Sequence, residues 1–574
     1  MGREASAGSC KGVATTASHG AGGTETVRGS VTSPAAAPTT AAATTVPAPA
    51  SGPAPATAPA LGQAASRLVA YGLATQLIEG DDARWAYNRL LEAVGLSGPE
   101  PDPSAAGQEA AEGYDFEADL ALLAEAGVAR GLAEDTATGR DRLAMRLMGE
   151  LTPRPSEVAR TFRDLLRSRG ARAATDWFYR LCCDADYVRR SAIARNLAWT
   201  TDTRWGALEI TINKSKPEKD PRDIAAAGAS VSASYPACAL CRENEGYSGR
   251  AAADAGGHAA RQNLRIVPIR LGGEGYGLQY SPYAYFEEHC IVMSDVHRPM
   301  HVDAASLGCL LDFVDLLPHY FVGSNADLPL VGGSILSHDH FQGGRHEFAM
   351  MRARESERFR IAGAPGVSAA VLEWPMTALR LASADRSQLL AAAVRVLELW
   401  RGWDDPASGV VSHDPDGTRH NTVTPICRKR GDVYELYLAL RCNVTTEAHP
   451  LGLFCPHEDK WHVKKENIGL IEVMGLAILP ARLEAEVRAV REHLVSGDLD
   501  GLESDPLASP HATWARGLAA SHPELFGMGE AEADRLLRRE VGLVFSSVLE
   551  DAGVFAWDEK GRRSLGRFLA ALGR

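Results

Sequence analysis

The octapeptide Ser337-His338-Asp339-His340-Phe341-Gln342-Gly343-Gly344 sets two histidines and a glutamine at alternate positions, directly after the apolar run Leu328 to Leu336. If that run is a strand that continues into the octapeptide, alternate side chains share a face. His338, His340 and Gln342 then line one face, with Asp339 and Phe341 on the other. Two imidazoles and a carboxamide in a row suit metal binding. They equally suit attack on phosphorus, with an amide donor holding the phosphoryl oxygens. A plainer alternative is a pair of core histidines satisfied by backbone carbonyls, and the triple ending in Gly-Gly argues against it.

The rest of the chain limits where such chemistry can sit. Its 574 residues, 45% hydrophobic, suffice for several cores, about three or four domains by length. A formal net charge of -13 gives no global basic field for nucleic acid. No run approaches the ~20 apolar residues that span a bilayer, so no membrane partner is expected. The first residues, Met1-Gly2-Arg3-Glu4-Ala5-Ser6, do not read as a secretory signal. Gly2 with Ser6 fits the loose myristoylation pattern, but nothing else points to a lipid anchor. The 10 cysteines are scattered rather than arranged as a disulfide scaffold, which predicts a reducing, cytoplasmic compartment.

Composition and periodicity divide the chain. Residues 1–62 are an Ala, Thr, Pro, Ser and Gly tract with few large apolar side chains, and disorder is expected there. Removing residues 1–60 is expected to leave activity nearly unchanged, as an assay of the shortened protein would show. Residues 63–200 read as helical, with order from about Leu68 and a break at Gly80-Asp81-Asp82. Asp115 is placed to cap a helix whose stripe is Leu120, Leu123 and Ala126. Strand-like runs begin at Leu208 to Ile212 and recur at Leu264 to Ile269 and Cys290 to Met293. Gly272 to Gly277 lacks the Walker and dinucleotide spacings and reads as a strand connection. Helices are predicted over Ala304 to Leu317 and Leu389 to Trp400, with strand-rich stretches from Ala369 to Leu381 and Val433 to Val444. The chain ends helical, at Arg482 to Val495 and Leu536 to Leu549. Strands mixed irregularly with helices predict an α+β fold.

Other segments carry candidate ligands. Cys238-x-x-Cys241 is half a zinc site, and His297 and His338 are the histidines placed to complete it. A redox role for the pair needs a thioredoxin-like context that is missing. Lys214, Lys216, Lys219 and Arg222 lie in a proline-interrupted loop that can hold phosphate or simply be solvated. Lys464-Lys465-Glu466-Asn467 is a polar segment in apolar surroundings, fit for sugar hydroxyls or for a turn.

Four of these segments together resemble the class II galactose-1-phosphate uridylyltransferases: Asn325 to Gly344, Ser215 to Pro221, Cys238 to Tyr247, and Lys464 to Gly475. The resemblance runs from about residue 65 to the C-terminus. It implies the histidine-triad superfamily: two antiparallel sheet halves with packed helices, at 201–350 and 351–496, and a helical C-terminal region at 497–574. Class I members carry His-Pro-His-x-Gln, whose second histidine is the nucleophile. By that resemblance His340 is the nucleophile and Gln342 binds the transferring phosphoryl group. His338, Cys238, Cys241 and His297 would hold a structural zinc, and no organic cofactor is expected. Asn325 and Ser334 match upstream substrate contacts, though their spacing departs from class I. Lys216, Lys219, Lys465 and Asn467 are further substrate-binding candidates. Cys455, in Phe454-Cys-Pro-His457, stands where a histidine is expected, which counts against a second metal. The implied reaction moves a uridylyl group from UDP-glucose to galactose 1-phosphate in the Leloir pathway of galactose metabolism, through a uridylyl-histidine. A homodimer is a family-level expectation. The alternatives are a nucleotide hydrolase or phosphorylase of the same superfamily, or a nucleotide-sugar binding protein without activity.

Overall fold

The computed structural model describes residues 56–102, 114–215, 235–251, 257–333 and 335–574. Most of the low-complexity tract therefore lies outside the described residues, as do Lys216, Lys219, Arg222 and Ser334. The first helix, Ala58–Ala74, begins inside the stretch assigned to the tail. Thr57 caps it and Leu61 is fully buried. Five further helices follow between Ala83 and Asp184. Asp115 caps the helix Phe116–Ala129 as predicted, its carboxylate accepting from the N–H groups of Glu117 and Ala118 at 3.0 and 3.2 Å. Leu120, Leu123 and Ala126 form its buried stripe.

Thirteen strands occur among the described residues. β1 (Leu197–Thr203) and β2 (Gly206–Asn213) form a hairpin, and β13 (Leu476–Pro480) joins β2 in parallel, with Leu476 opposite Glu209. The other ten make one sheet. The first five are β3 (Val267–Leu271), β4 (Glu274–Tyr280), β5 (Cys290–Ser294), β6 (Phe321–Gly323) and β7 (His340–Gly344). The second five are β8 (Glu355–Phe359), β9 (Ser368–Leu372), β10 (Ala378–Ser383), β11 (Asn421–Arg430) and β12 (Val433–Cys442). The spatial order is β3-β4-β5-β7-β6-β11-β12-β10-β9-β8. Each set of five thus has the same internal order, first-second-third-fifth-fourth, and the fourth strands meet at the seam. One helix intervenes between the third and fourth strands of each set, Ala304–Leu316 in the first and Arg386–Arg401 in the second. The fold is α+β with two antiparallel repeats.

The two halves are joined in one sheet. The seam pairs Ile426 with Gly323 and Cys427 with Val322, making one ten-stranded sheet across residue 350. The Leu208–Ile212 strand, assigned to the first half, instead pairs with β13 from the end of the second. An edge strand satisfies its backbone groups wherever a partner of matching twist is available, and local sequence does not name that partner. The Gly272-Gly273 turn, with φ of +57° and +81°, closes the β3–β4 hairpin, a backbone path that glycine follows without strain.

The sheet is buried on both faces, and the period-2 alternation of its strands divides two cores. Leu436, Leu438 and Leu440 of β12 pack with the helices on one face. Tyr437 and Ala439 pack on the other, with β1, β2, β13 and the helix Glu530–Asp551. Leu438→Ala is expected to lower stability by ~2–5 kcal/mol, read as a reduced denaturation midpoint with an unchanged slope. No helix among the described residues is long and apolar enough to cross a membrane.

Candidate functional site

β7 is threaded between β5 and β6, with Met293 opposite His340 and Gly323 opposite Gln342. Its alternation is the one the sequence predicts from His340 onward. Phe341 points into the helix-covered core and stacks on Tyr276, with ring centroids 5.8 Å apart. His340 and Gln342 point the opposite way, into a cavity of ≈ 470 Å³. Asp339 also turns from the cavity, accepting from Tyr276 and Arg298 at 3.2 Å each.

The apolar run before the octapeptide is not a strand. Residues 328–331 form a bend and turns, with Leu330 at φ +66°, and Gly332 makes only an isolated bridge to Ala326. A Cβ on Gly332 would lie 2.4 Å from the Ala326 carbonyl oxygen, and one on Gly333 would lie 2.4 Å from the Asn325 amide nitrogen. Close packing of these glycines, with Pro329 unable to donate to a ladder, keeps the run out of the sheet. His338 consequently precedes the strand and leaves the face that His340 and Gln342 share.

His338 joins a separate cluster. Its Nδ1 lies 3.2 Å from the Cys238 sulfur and 3.6 Å from that of Cys241. The two sulfurs are 3.5 Å apart, and His297 Nδ1 is 3.1 Å from Cys241. All four ligand atoms fall within 4.8 Å of one another. A tetrahedral ion with thiolate and imidazole ligands requires ligand separations of about 3.4–3.8 Å. Two thiols and two imidazoles converging at nearly this spacing can hold one metal ion.

The cluster is tied to the cavity through the backbone. His338 Nε2–H donates to the Ser294 carbonyl at 2.9 Å, leaving Nδ1 for the cluster. The His338 carbonyl accepts from His340 Nδ1–H at 2.8 Å. This bond fixes the His340 tautomer and leaves the Nε2 lone pair unengaged by any described residue. Burial lowers the His340 pKa below the ordinary value, holding the ring neutral.

His289, which no motif singled out, orients the glutamine. Its ring lies between Tyr285 and Phe286, and its Nε2–H donates to Gln342 Oε1 at 3.1 Å. Burial pushes its pKa down to about 4, so it stays neutral. With Oε1 engaged, the Gln342 amino group is left to donate into the cavity. The identifiable signal was its place immediately before β5, in Glu287-Glu288-His289-Cys290, which sequence reasoning passed over.

The opposite wall of the cavity is Lys464, Glu466, Asn467 and the chain from Gly469 to Glu472. Asn325 reaches that wall, its Oδ1 accepting from Leu470 N–H at 2.8 Å. Asn325 and Asn467 thus join His340 and Gln342. Lys465 does not: its ammonium sits over the Trp461 ring, 4.6 Å from the centroid, facing a different cavity. Lys464 takes the inward position, paired with Glu472 at 2.6 Å and Glu466 at 3.4 Å. Lys214 of the basic loop is held by Glu484 at 2.7 Å.

A neutral imidazole with a free lone pair and an adjacent amide donor, facing a cavity with a lysine on its far wall, can form a covalent bond to phosphorus. Comparison with known proteins agrees with that geometry. Residues 111–299 match the family described as galactose-1-phosphate uridyl transferase, N-terminal domain, and residues 314–516 match its C-terminal domain. A galactose-1-phosphate uridylyltransferase of Bacillus subtilis (strain 168) is 44% identical over 509 residues, covering 88% of this chain and 97% of that protein. One from Clostridium acetobutylicum is 42% identical over 517 residues, covering 88% and 99%. One from Lacticaseibacillus casei is 44% identical over 495 residues, covering 86% and 96%. The chain therefore belongs to the galactose-1-phosphate uridylyltransferase family.

Proposed function

We propose that the chain transfers the uridylyl group of UDP-glucose to galactose 1-phosphate, giving UDP-galactose and glucose 1-phosphate. The observation that carries this reading is the bond from His340 Nδ1–H to the His338 carbonyl, which leaves Nε2 as a lone pair on the cavity beside Gln342. His340 Nε2 attacks the α-phosphorus of UDP-glucose. The N–P bond forms as the bond from α-phosphorus to the bridging oxygen breaks, and glucose 1-phosphate leaves with the electron pair. A phosphate oxygen of galactose 1-phosphate then attacks the same phosphorus, and the N–P bond returns its pair to Nε2. Two transfers of matching chemistry share one set of stabilising groups.

The Gln342 amino group donates to the non-bridging oxygens as they gain charge, and His289 holds it in that orientation. Gln342→Ala is expected to lower kcat by about 10²–10³-fold, as for loss of one donor in an oxyanion site, with a smaller change in KM. Lys464, held by Glu472 and Glu466, offers ammonium N–H groups from the far wall, and Asn325 and Asn467 are placed for polar contacts to the substrate. Cys238, Cys241, His297 and His338 are the residues that would hold zinc. Zinc, when bound, supplies a structural tether with no open coordination position.

The test uses UDP-glucose labelled in the uridine, without acceptor. Protein-bound label with an equal release of glucose 1-phosphate, chased into UDP-galactose by galactose 1-phosphate, is expected. Accumulation of UMP without bound label would instead assign a hydrolase, and neither label nor products would assign a binding protein.

A further inference from the structure

A second cavity, of ≈ 720 Å³, shares no lining residue with the first. We infer that this cavity, walled by Trp461, His462, Lys465, Arg482 and Trp514, is a second binding site, for a hexose phosphate, distinct from the site of transfer.

The argument begins with a chain of hydrogen bonds among buried groups. His511, whose side chain is fully buried, donates Nε2–H to Glu486 at 3.0 Å. Glu486 is also ion-paired with Arg482, one helical turn away. The Nδ1 of His511 lies 2.8 Å from the Nδ1 of His462. Two ring nitrogens at that distance share one proton. A neutral His511 that donates through Nε2 can only accept at Nδ1, so His462 is the donor there. Its Nε2 is then an acceptor, unpaired among the described residues, on a ring that lines the cavity. Burial pushes the His462 pKa down to about 4, reinforced by His511 and Arg482, so the acceptor persists at neutral pH. A chain that fixes a tautomer three groups deep and ends on an acceptor in a cavity prepares that acceptor for a donor, and a sugar hydroxyl is one.

The surroundings match the rest of such a ligand. Trp514 lies 5.3 Å from the His462 ring, and Trp461 forms another wall, so flat apolar surfaces border the acceptor as the C–H face of a hexose requires. Lys465 is exposed, forms no ion pair among the described residues, and rests on Trp461. Its ammonium can meet a phosphate without giving up an ion pair, and the Arg482 guanidinium, already paired with Glu486, has further N–H groups on the same side. Lys460 on the same rim is neutralised by Asp459 and Asp551 at 2.9 and 3.1 Å. Glu458 also lies on the rim, so charge alone does not define the site. Recognition rests on hydroxyl, ring face and phosphate together.

The test is a titration of the full-length protein followed by tryptophan fluorescence, with glucose 6-phosphate, glucose 1-phosphate, glucose and inorganic phosphate as probes. Saturable binding of at least one hexose phosphate with Kd below ~1 mM is expected, with glucose and inorganic phosphate each binding more weakly. Lys465→Ala and His462→Phe are expected to weaken it by about tenfold each. Lys465 is exposed, so its replacement leaves the fold intact. Gln342→Ala is expected to leave this binding unchanged. Binding that Lys465→Ala and His462→Phe both leave unchanged would place the ligand outside this cavity and overturn the proposal. So would the absence of saturable binding by both hexose phosphates. Labelling of His340 is read separately, so either conclusion can fail alone.

Discussion

Replacing His340 by alanine is expected to lower uridylyl transfer by on the order of 10⁴-fold or more, and to abolish covalent labelling by UDP-glucose. His340 presents to the cavity, beside Gln342, a ring lone pair that the hydrogen bond from its own Nδ1–H leaves unengaged. Gln342, Lys464 and the asparagines can bind and polarise a diphosphate, but none replaces the N–P bond. Folding should survive. The His340 side chain makes one hydrogen bond, to the carbonyl two residues before it, and its neighbours on β5 and β6 remain paired through the backbone. The pair of measurements is turnover and thermal unfolding of the same preparation. A folded variant with near-normal turnover would remove the covalent mechanism.

Replacing Cys241 by serine is expected to cost metal, stability and activity together. Metal analysis should fall from about one ion per chain toward none, because a tetrahedral site keeps little affinity with one thiolate missing. Stability should fall by several kcal/mol, the 10–16 kcal/mol apparent for zinc in small finger peptides being an upper bound of about that size. Activity should fall because the cluster ends one residue from the catalytic strand. His338 gives Nδ1 to the cluster, Nε2–H to Ser294 and its carbonyl to His340. Loosening His338 loosens the acceptor that sets the nucleophile's tautomer, as partners beyond the ligands do at other metal sites. A strong chelator should have the same three effects on the unaltered protein. Metal-free protein with full stability and turnover would show that the four residues serve packing alone.

What the sequence disclosed follows from the range of the forces involved. The alternation of His340 and Gln342 against Phe341 is a local period, and the sheet reproduces it. The Asp115 cap and the stripe of its helix are local too. The convergence of Cys238, Cys241, His297 and His338 was legible because thiols and imidazoles are the ligand types a metal ion prefers. Leu328 to Leu336 misled because apolar content imitates a strand, while Pro329 and the packing of Gly332 and Gly333 decide the backbone. Which of two adjacent lysines faces the substrate depends on the path of one turn, and the chain turns Lys464 inward and Lys465 out. His289 had no motif around it, since its role arises from a neighbour on a strand paired only in the fold. The seam that joins the two repeats is two residue pairs, which leave no trace in composition.

That architecture also fixes when the protein can become active. His340 leaves the ribosome long before the opposite wall from Lys464 to Glu472, and β2 waits still longer for β13 to lie against it. Until then the nascent chain carries an unpaired strand and an apolar sheet face without its cover, the kind of surface that associates with other unfinished chains. Catalytic competence therefore waits on the cavity wall from Lys464 to Glu472, and protection from aggregation waits longer, until the helix Glu530–Asp551 can cover the same face.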